Sequence, residues 1–308
     1  MIDVLTDWLR AVGSNAAVLC RSRMSAPWGM HIEQRDEVMF HIVTEGACWL
    51  RRPGEPPLRL LEGDLAVVPQ GLQHDLADDP ASPAEPLEEF LSKPSRLLAA
   101  TPRTTLVCGV YGSDAQLAHP MLRALPPLVH FPAAVVDRQQ PLASTLALLR
   151  AELEAPSLGG EALIQHLFDA LFVYVIRAWA EQSEPERATW FSALKDPWLS
   201  KALARMHAEP AEAWTVQGLA REAGLSRAAF ARRFSEQVGE PPLAYLTRWR
   251  MGLAARLLHS SEASVAEIAD QVGYESEFAF SRAFKRHRGL APIRFRHEAP
   301  SQAGAPLR

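Results

Sequence analysis

Val265-Ala266-Glu267-Ile268-Ala269-Asp270-Gln271-Val272-Gly273-Tyr274-Glu275-Ser276 runs on into Glu277-Phe278-Ala279-Phe280-Ser281-Arg282-Ala283-Phe284, and the chain has already said much the same thing once. The earlier copy reads Leu219-Ala220, Gly224, Ser226, Phe230, Arg232, Phe234; the later one reads Ile268-Ala269, Gly273, Ser276, Phe280, Arg282, Phe284. An internal repeat of this kind fixes architecture before any single residue does. In each copy a small Ala lets two helices approach. Gly224 and Gly273 follow the first helix, where the backbone often needs a positive φ. Ser226 and Ser276 are suited to cap the second helix, their hydroxyls accepting from its first free N–H groups. The phenylalanines sit four and eight residues beyond each serine, so each pair packs one helix face inward. The pattern predicts two helix-turn-helix units in tandem.

The face turned away from those phenylalanines carries Arg227, Ala228, Ala231 and Arg232 in the first copy, and Glu277, Ala279, Ser281 and Arg282 in the second. One side of each helix is anchored, while the other is short or cationic. That combination suits a helix that enters a major groove and reaches base edges or phosphates. Seven positions are therefore candidates for contact with double-stranded DNA: Arg227, Ala228, Ala231, Arg232, Glu277, Ser281 and Arg282. The arginines suit guanine or phosphate, Ala228 and Ala231 a thymine methyl, and Glu277 a cytosine amino group or the positive end of its own helix.

Residues 196–297 resemble the DNA-binding domain of AraC/XylS-type transcription regulators. The resemblance rests on Gly239-x-x-Pro242-x-x-Tyr245-Leu246-x-x-x-Arg250, on Ala254-Ala255-x-Leu257-Leu258, on the Val265–Arg286 stretch, and on Gly289-x-x-Pro292-x-x-Phe295-Arg296. The last piece departs mildly from the family's Ser-Pro and Tyr-Arg. The family implies a long helix, about Leu243 to His259, that holds the two recognition helices about one DNA turn apart.

Composition agrees. The 308 residues suit roughly two domains, and 48% of them are apolar, enough for real cores. No apolar stretch is expected to span a membrane, and no secretory signal opens the chain. A cytoplasmic location is expected. The net charge of −4 by itself argues against a nucleic-acid partner, but it is unevenly spread. Lys195 to Glu298 holds 16 basic and 12 acidic residues, against 16 and 24 in the remainder. The repeated part is thus the basic part. Three cysteines, Cys20, Cys48 and Cys108, are too few for a disulfide framework.

From Phe40 to Leu76 short apolar runs alternate with turns at Glu45-Gly46, Pro53-Gly54, Glu62-Gly63-Asp64 and Pro69-Gln70-Gly71, a texture of closely spaced strands in a small antiparallel barrel or sandwich. Gly63-x5-Pro69-x-Gly71-x2-His74 resembles the second motif of the cupin barrel. The first motif is incomplete: no His-x-His pair precedes Gly46, and Met39 stands where that family carries a Glu ligand. A standard cupin metal centre and dioxygenase chemistry are therefore not expected. By strand alternation Met39, His41 and Val43 share a face, which puts His41 and His74 inside one barrel. Trp28-Gly29, Phe40-His41, Val107-Cys108-Gly109, His119-Pro120 and Leu125-Pro126-Pro127 further resemble the sensor arm of an AraC subgroup, some members of which respond to reactive chlorine or other oxidants through cysteine. That resemblance places Cys20, His41, His74 and Cys108 together. Four readings stay open: a tetrahedral S2N2 site for zinc or another thiophilic metal, a redox-active thiol pair, a pocket for an organic effector, or side chains that only pack. Cys48, beside Trp49, reads as a small core residue.

Two helical runs follow, Pro141 to Glu154 and Glu161 to Glu181. The second carries an apolar stripe wide enough for the barrel and a second copy of itself. Pro185 marks a hinge. The expected fold is α+β: a cupin-like β-barrel over residues 1–130, a helical linker and dimerisation region over 131–190, an all-α domain with two helix-turn-helix units over 191–298, and a disordered tail over 299–308. The expected function is a DNA-binding transcription regulator, an activator, with promoter DNA, RNA polymerase and a small-molecule effector or oxidant as partners, and with a homodimer as its assembly. The alternative is a cupin-type metalloenzyme fused to a DNA-binding arm.

Overall fold

The computed structural model describes residues 4, 6–7, 16–35, 37–93, 104–112, 120–155, 157–182 and 190–297. The expected hinge at Pro185 and the tail over 299–308 lie outside them. The chain divides into two compact units. One holds residues 14–113 and 125–182, and the other collects 183–302 with Met1–Gly13 and Asp114–Ala124.

The first unit is a curled sheet of nine strands among the described residues. Its spine is β3 (Val38–Arg51), whose first half pairs with β8 (Thr104–Tyr111) and β5 (Leu65–Val68) and whose second half pairs with β4 (Leu58–Leu61) and β6 (His74–Ala77). β1 (Ala16–Met24) flanks β8 on its other side, β2 (Gly29–Ile32) lies beside β6, and β9 (Val129–Phe131) beside β5. The two-residue strand β7 (Glu85–Pro86) closes the edge at β2.

The interior is apolar: Met24, Met30, Met39, Val43, Cys48, Leu50, Leu60, Leu76 and Val110 are buried together. Strand alternation holds on β3, since Met39, His41 and Val43 face this interior. Yet Phe40 and Ile42 are buried as well, because a helix covers the outside. The helices α4 (Gln140–Glu154) and α5 (Gly160–Gln182) form a hairpin laid on the sheet. Phe168 meets Phe40 edge-on at 5.8 Å, and Phe172 stacks on Tyr111 at 4.6 Å. Gly109 makes this approach feasible, as a Cβ there would stand 2.3 Å from the Phe168 ring. The helical region expected as a linker thus belongs by its packing to the barrel unit.

A single carboxylate helps hold it there. Asp64, in the turn before β5, accepts from His130 on β9 at 2.9 Å, from the Ala133 N–H at 2.8 Å and from the Leu61 N–H at 3.0 Å. The Ala133 N–H belongs to the first residue of α3 (Ala133–Arg138). One expectation needs correction. α5 is long and apolar enough to cross a membrane by length and composition. The apolarity has a different use here, because Leu167, Phe168, Leu171, Phe172, Val175 and Ile176 are buried within the protein.

The second unit is helical. Its first helix-turn-helix pairs α8 (Val216–Glu222) with α9 (Arg227–Val238), and its second pairs α11 (Val265–Gln271) with α12 (Glu277–Arg288). The long α10 (Pro242–Ser260) joins them, and α13 (Pro292–His297) packs on it. Thr215, Ser226, Ser264 and Ser276 cap the four short helices, Ser264 in a reciprocal capping box with Glu267. Gly224 and Gly273 adopt φ of +68° and +78°. Gly273 has a second reason to be glycine: a Cβ there would stand 2.5 Å from the Ala211 carbonyl oxygen.

Candidate DNA interface and sensor cluster

The repeat builds two matching helix faces. Phe230 and Phe234 on α9, and Phe280 and Phe284 on α12, are fully buried. Each pair packs ring to ring, at 5.5 Å and 5.6 Å. Their burial fixes the rotation of each helix, so the opposite face is the exposed one. Arg227, Ala228 and Arg232 on α9, and Glu277 and Arg282 on α12, are exposed, while Ala231 and Ser281 are half-buried between them. Arg232 lies 4.0 Å from Glu236 across one exposed turn. Such a pair contributes little and leaves the guanidinium available. Arg233, by contrast, is spent on structure: it donates to Asp196 at 2.6 Å and lies over Trp198.

One residue on this face escaped the sequence reading. Phe278 is 72% exposed, the most exposed aromatic among the described residues, and Arg282 lies 5.7 Å from its ring centre. The available signal was that Phe278 falls out of step with Phe280 and Phe284, which leaves an aromatic ring facing outward near a helix N-terminus.

In the barrel, register assembles the other set. β8 lies between β1 and β3, and Cys108 stands opposite Cys20 on one side and His41 on the other. Cross-strand partners share a face, so these three side chains form one row inside the sheet. His74 reaches the row from β6. His41 Nδ1 lies 3.2 Å from Cys108 Sγ, and His41 Nε2 lies 2.7 Å from His74 Nε2. His74 Nδ1 is 2.7 Å from the Leu72 carbonyl oxygen.

That last contact sets the direction of the whole chain. A carbonyl can only accept, so His74 carries its proton on Nδ1 and its Nε2 accepts from His41 Nε2–H. His41 Nδ1 is then an acceptor, and the Cys108 thiol donates to it. Burial and the neighbouring His74 hold His41 well below its usual titration range. Burial brings His74 down to about 4. Contact with Cys108 lowers the Cys20 thiol against the opposing effect of burial, and the same contact, together with burial, raises Cys108. Cys48 is a buried core residue whose thiol burial pushes up to about 12.

The four predicted residues therefore come together, but as a line and not as a shell. A tetrahedral zinc bound by both Nε2 atoms at about 2.0–2.1 Å would hold them about 3.3 Å apart, with the sulfurs on the same side as the metal. Here the nitrogens share a proton at 2.7 Å, and Cys108 engages the opposite ring nitrogen of His41. Among the described residues no three His, Cys, Asp or Glu side chains converge on a metal position. The expected S2N2 site does not fit this arrangement, because one imidazole cannot turn both its nitrogens toward the same ion.

Residues 3–181 match the family model described as Cupin, and residues 219–298 match one described as a helix-turn-helix domain. The chain is 32% identical over 96% of its length, and 98% of the relative's, to a putative AraC-like transcription regulator of Streptomyces lividans. It is 29% identical over 97% of its length to the HTH-type transcriptional regulator AlkR of Acinetobacter baylyi, covering all of that protein. It is 29% identical over 84% of its length to the RCS-specific HTH-type transcriptional activator RclR of Escherichia coli, covering 84% of that protein. With the paired recognition helices, the curled sheet and these relatives in view, the chain belongs to the AraC-type transcription regulators that carry a cupin domain ahead of a double helix-turn-helix.

Proposed function

We propose that this cytoplasmic regulator senses a two-electron oxidant through Cys20 and Cys108 and answers by changing its occupancy of a promoter. The observation that carries the reading is the direct opposition of the two thiols on β1 and β8, with His41 hydrogen-bonded to one of them. The Cys20 thiolate attacks an electrophilic oxygen, HO–X, giving a sulfenic acid and X⁻. The Cys108 thiol then displaces water to form the disulfide. Two thiols lose two electrons, and the oxidant takes them up. A regulator of related sequence bears the name of an RCS-specific activator, which is in keeping with this chemistry.

At the promoter, Arg227, Arg232 and Arg282 contact bases or phosphates. Ala228 and Ala231 face thymine methyls, and Glu277 and Ser281 complete the second reading face. The two recognition helices sit in successive major grooves, and the bound regulator contacts RNA polymerase as an activator. A homodimer forms through the α4–α5 hairpin, where Leu148 and Leu163 are left exposed. The metalloenzyme alternative loses support at Met39, buried where that chemistry calls for a carboxylate, and in the regulator names of the relatives.

The test is promoter binding by the full-length protein, reduced and after hypochlorite or peroxide, beside Cys20→Ser and Cys108→Ser. Oxidation is expected to shift the wild-type binding curve and to leave both variants unmoved. An identical shift in the variants would refute the thiol reading, and zinc retained stoichiometrically by the anaerobic wild type and lost in both would replace it with a metal site.

A further inference from the structure

An isolated apolar side chain on a protein surface is ordinary. What marks out Phe278 is its place. It is the second residue of α12, at the end capped by Ser276, and 72% of it is exposed. The N-terminal residues of a recognition helix are the ones that reach base edges. Phe280, Ala283 and Phe284 are buried in the core of the second helix-turn-helix, which fixes the rotation of α12. Phe278 and Arg282, four residues apart, therefore leave the same outward face.

The repeat offers a direct comparison. Counting from the capping serines, Phe278 stands where the first unit has Ala228, and Arg282 where it has Arg232. The two arginines are steadied by different means. Arg232 lies 4.0 Å from Glu236, a carboxylate one turn further on. The matching position in the second unit is Arg286, which repels a guanidinium, and Arg282 lies instead over the Phe278 ring, 5.7 Å from its centre. Ring and guanidinium thus project side by side from one face. The ring attracts the cation through its π face and leaves the in-plane N–H groups to bind guanine O6 and N7. Beside that guanine the ring itself needs an apolar neighbour. The apolar group on the major-groove edge of DNA is the pyrimidine C5-methyl, present on thymine and on methylated cytosine. The other groups there are donors and acceptors, which a phenyl ring would strip of water without replacing it.

We propose that Phe278 is a specificity-determining residue that packs on the C5-methyl of a pyrimidine next to the guanine bound by Arg282, so that thymine or 5-methylcytosine is preferred there over unmethylated cytosine. The assignment rests on the reading that α12 enters a major groove, and it is independent of the thiol chemistry.

The test uses reduced full-length protein and the duplex it selects best from a randomised pool. Each thymine is replaced singly by uracil, which removes the methyl and keeps the pairing. Anisotropy titrations are expected to show one thymine at which uracil weakens wild-type binding about fourfold, the fold-change for leaving one methyl group's worth of apolar surface in water. Phe278→Ala should bind the thymine and uracil duplexes equally at that position. Arg282→Ala should lose its preference at the adjacent guanine. With cytosine in the thymine's place, methylation at C5 should restore about fourfold in the wild type and nothing in Phe278→Ala. The ring lies mostly outside the core, so Phe278→Ala should melt with the wild type and a folding defect cannot imitate these results. Uracil penalties that are the same in the wild type and Phe278→Ala at every thymine overturn the proposal, as does a selected duplex with no thymine beside the guanine that Arg282 reads. If Arg282→Ala still loses one guanine in either case, the placement of α12 in the groove stands. If neither variant changes the preference at any base pair, the placement falls together with the proposal.

Discussion

Arg282 and Arg232 occupy equivalent places in the two repeats, yet their surroundings differ. Arg232 has Glu236 one turn away, whereas Arg282 lies over the exposed ring of Phe278. The ring holds the guanidinium without satisfying its N–H groups, so Arg282 is presented with its donors free. Arg282→Ala is therefore expected to weaken promoter binding by about 1–3 kcal/mol and to relax preference at one base pair, as read by anisotropy titration against a panel of single-base variants. Phe278→Ala should lower affinity by less and leave the melting temperature unchanged, because the ring buries little within the protein. If Arg282 touches phosphate instead, the loss should be uniform across sequences and the salt slope should fall by about 0.9. Arg233→Ala offers the contrast: it breaks the bond to Asp196 and should lower stability more than DNA affinity at matched folded fraction.

The two turns make a sharper comparison than the two helices. Gly224 and Gly273 both adopt left-handed backbone, so each alanine substitution carries a cost of about 1–2 kcal/mol. At Gly224 nothing else is near, whereas at Gly273 the added methyl meets the Ala211 backbone. Thermal melts should show Gly224→Ala as a modest loss and Gly273→Ala as a clearly larger one; equal losses would mean that the Ala211 contact contributes nothing. The helix-turn-helix pair was legible in sequence because its signals are local: a cap, a glycine and two phenylalanines within a dozen residues. The barrel was legible only as texture. What the residues alone left open was the relation among Cys20, His41, His74 and Cys108, because it is made by strand register over separations of up to 88 positions. The four side chains that the resemblance groups meet inside the barrel. Their arrangement in a line depends on which imidazole nitrogen meets which neighbour, and no sequence pattern encodes that. Which strand the long helix covers was not legible either, since that helix lies more than a hundred residues from β3.

Among the described residues three buried histidines, His41, His74 and His207, set a common acid limit. His74 and His207 are held near 4 and 3 by burial, against 6.5 for an exposed imidazole. Above pH 6.5 both are neutral, folded or unfolded, and contribute no pH dependence. As pH falls below 6.5 the unfolded chain takes up protons that the folded chain refuses, so stability is lost down to the folded values. From pH 7 to pH 5 each histidine should withdraw on the order of 2 kcal/mol. His207→Gln should flatten the melting-temperature profile in that window; an unchanged profile would show that His207 protonates in the folded state. His207 lies in the helical unit and His74 in the barrel, so acid loosens both at once. Asp64 bears on a different boundary. Its oxygens already reach β9, α3 and the β4–β5 turn, and the rings of Phe40 and Tyr111 are roofed by Phe168 and Phe172. A stop codon placed after the last strand would take the Ala133 N–H from that carboxylate and leave two aromatic rings wet. The smallest piece of this gene product able to stand by itself as a receiver thus runs through the helical hairpin to residue 182, and shorter pieces should clump.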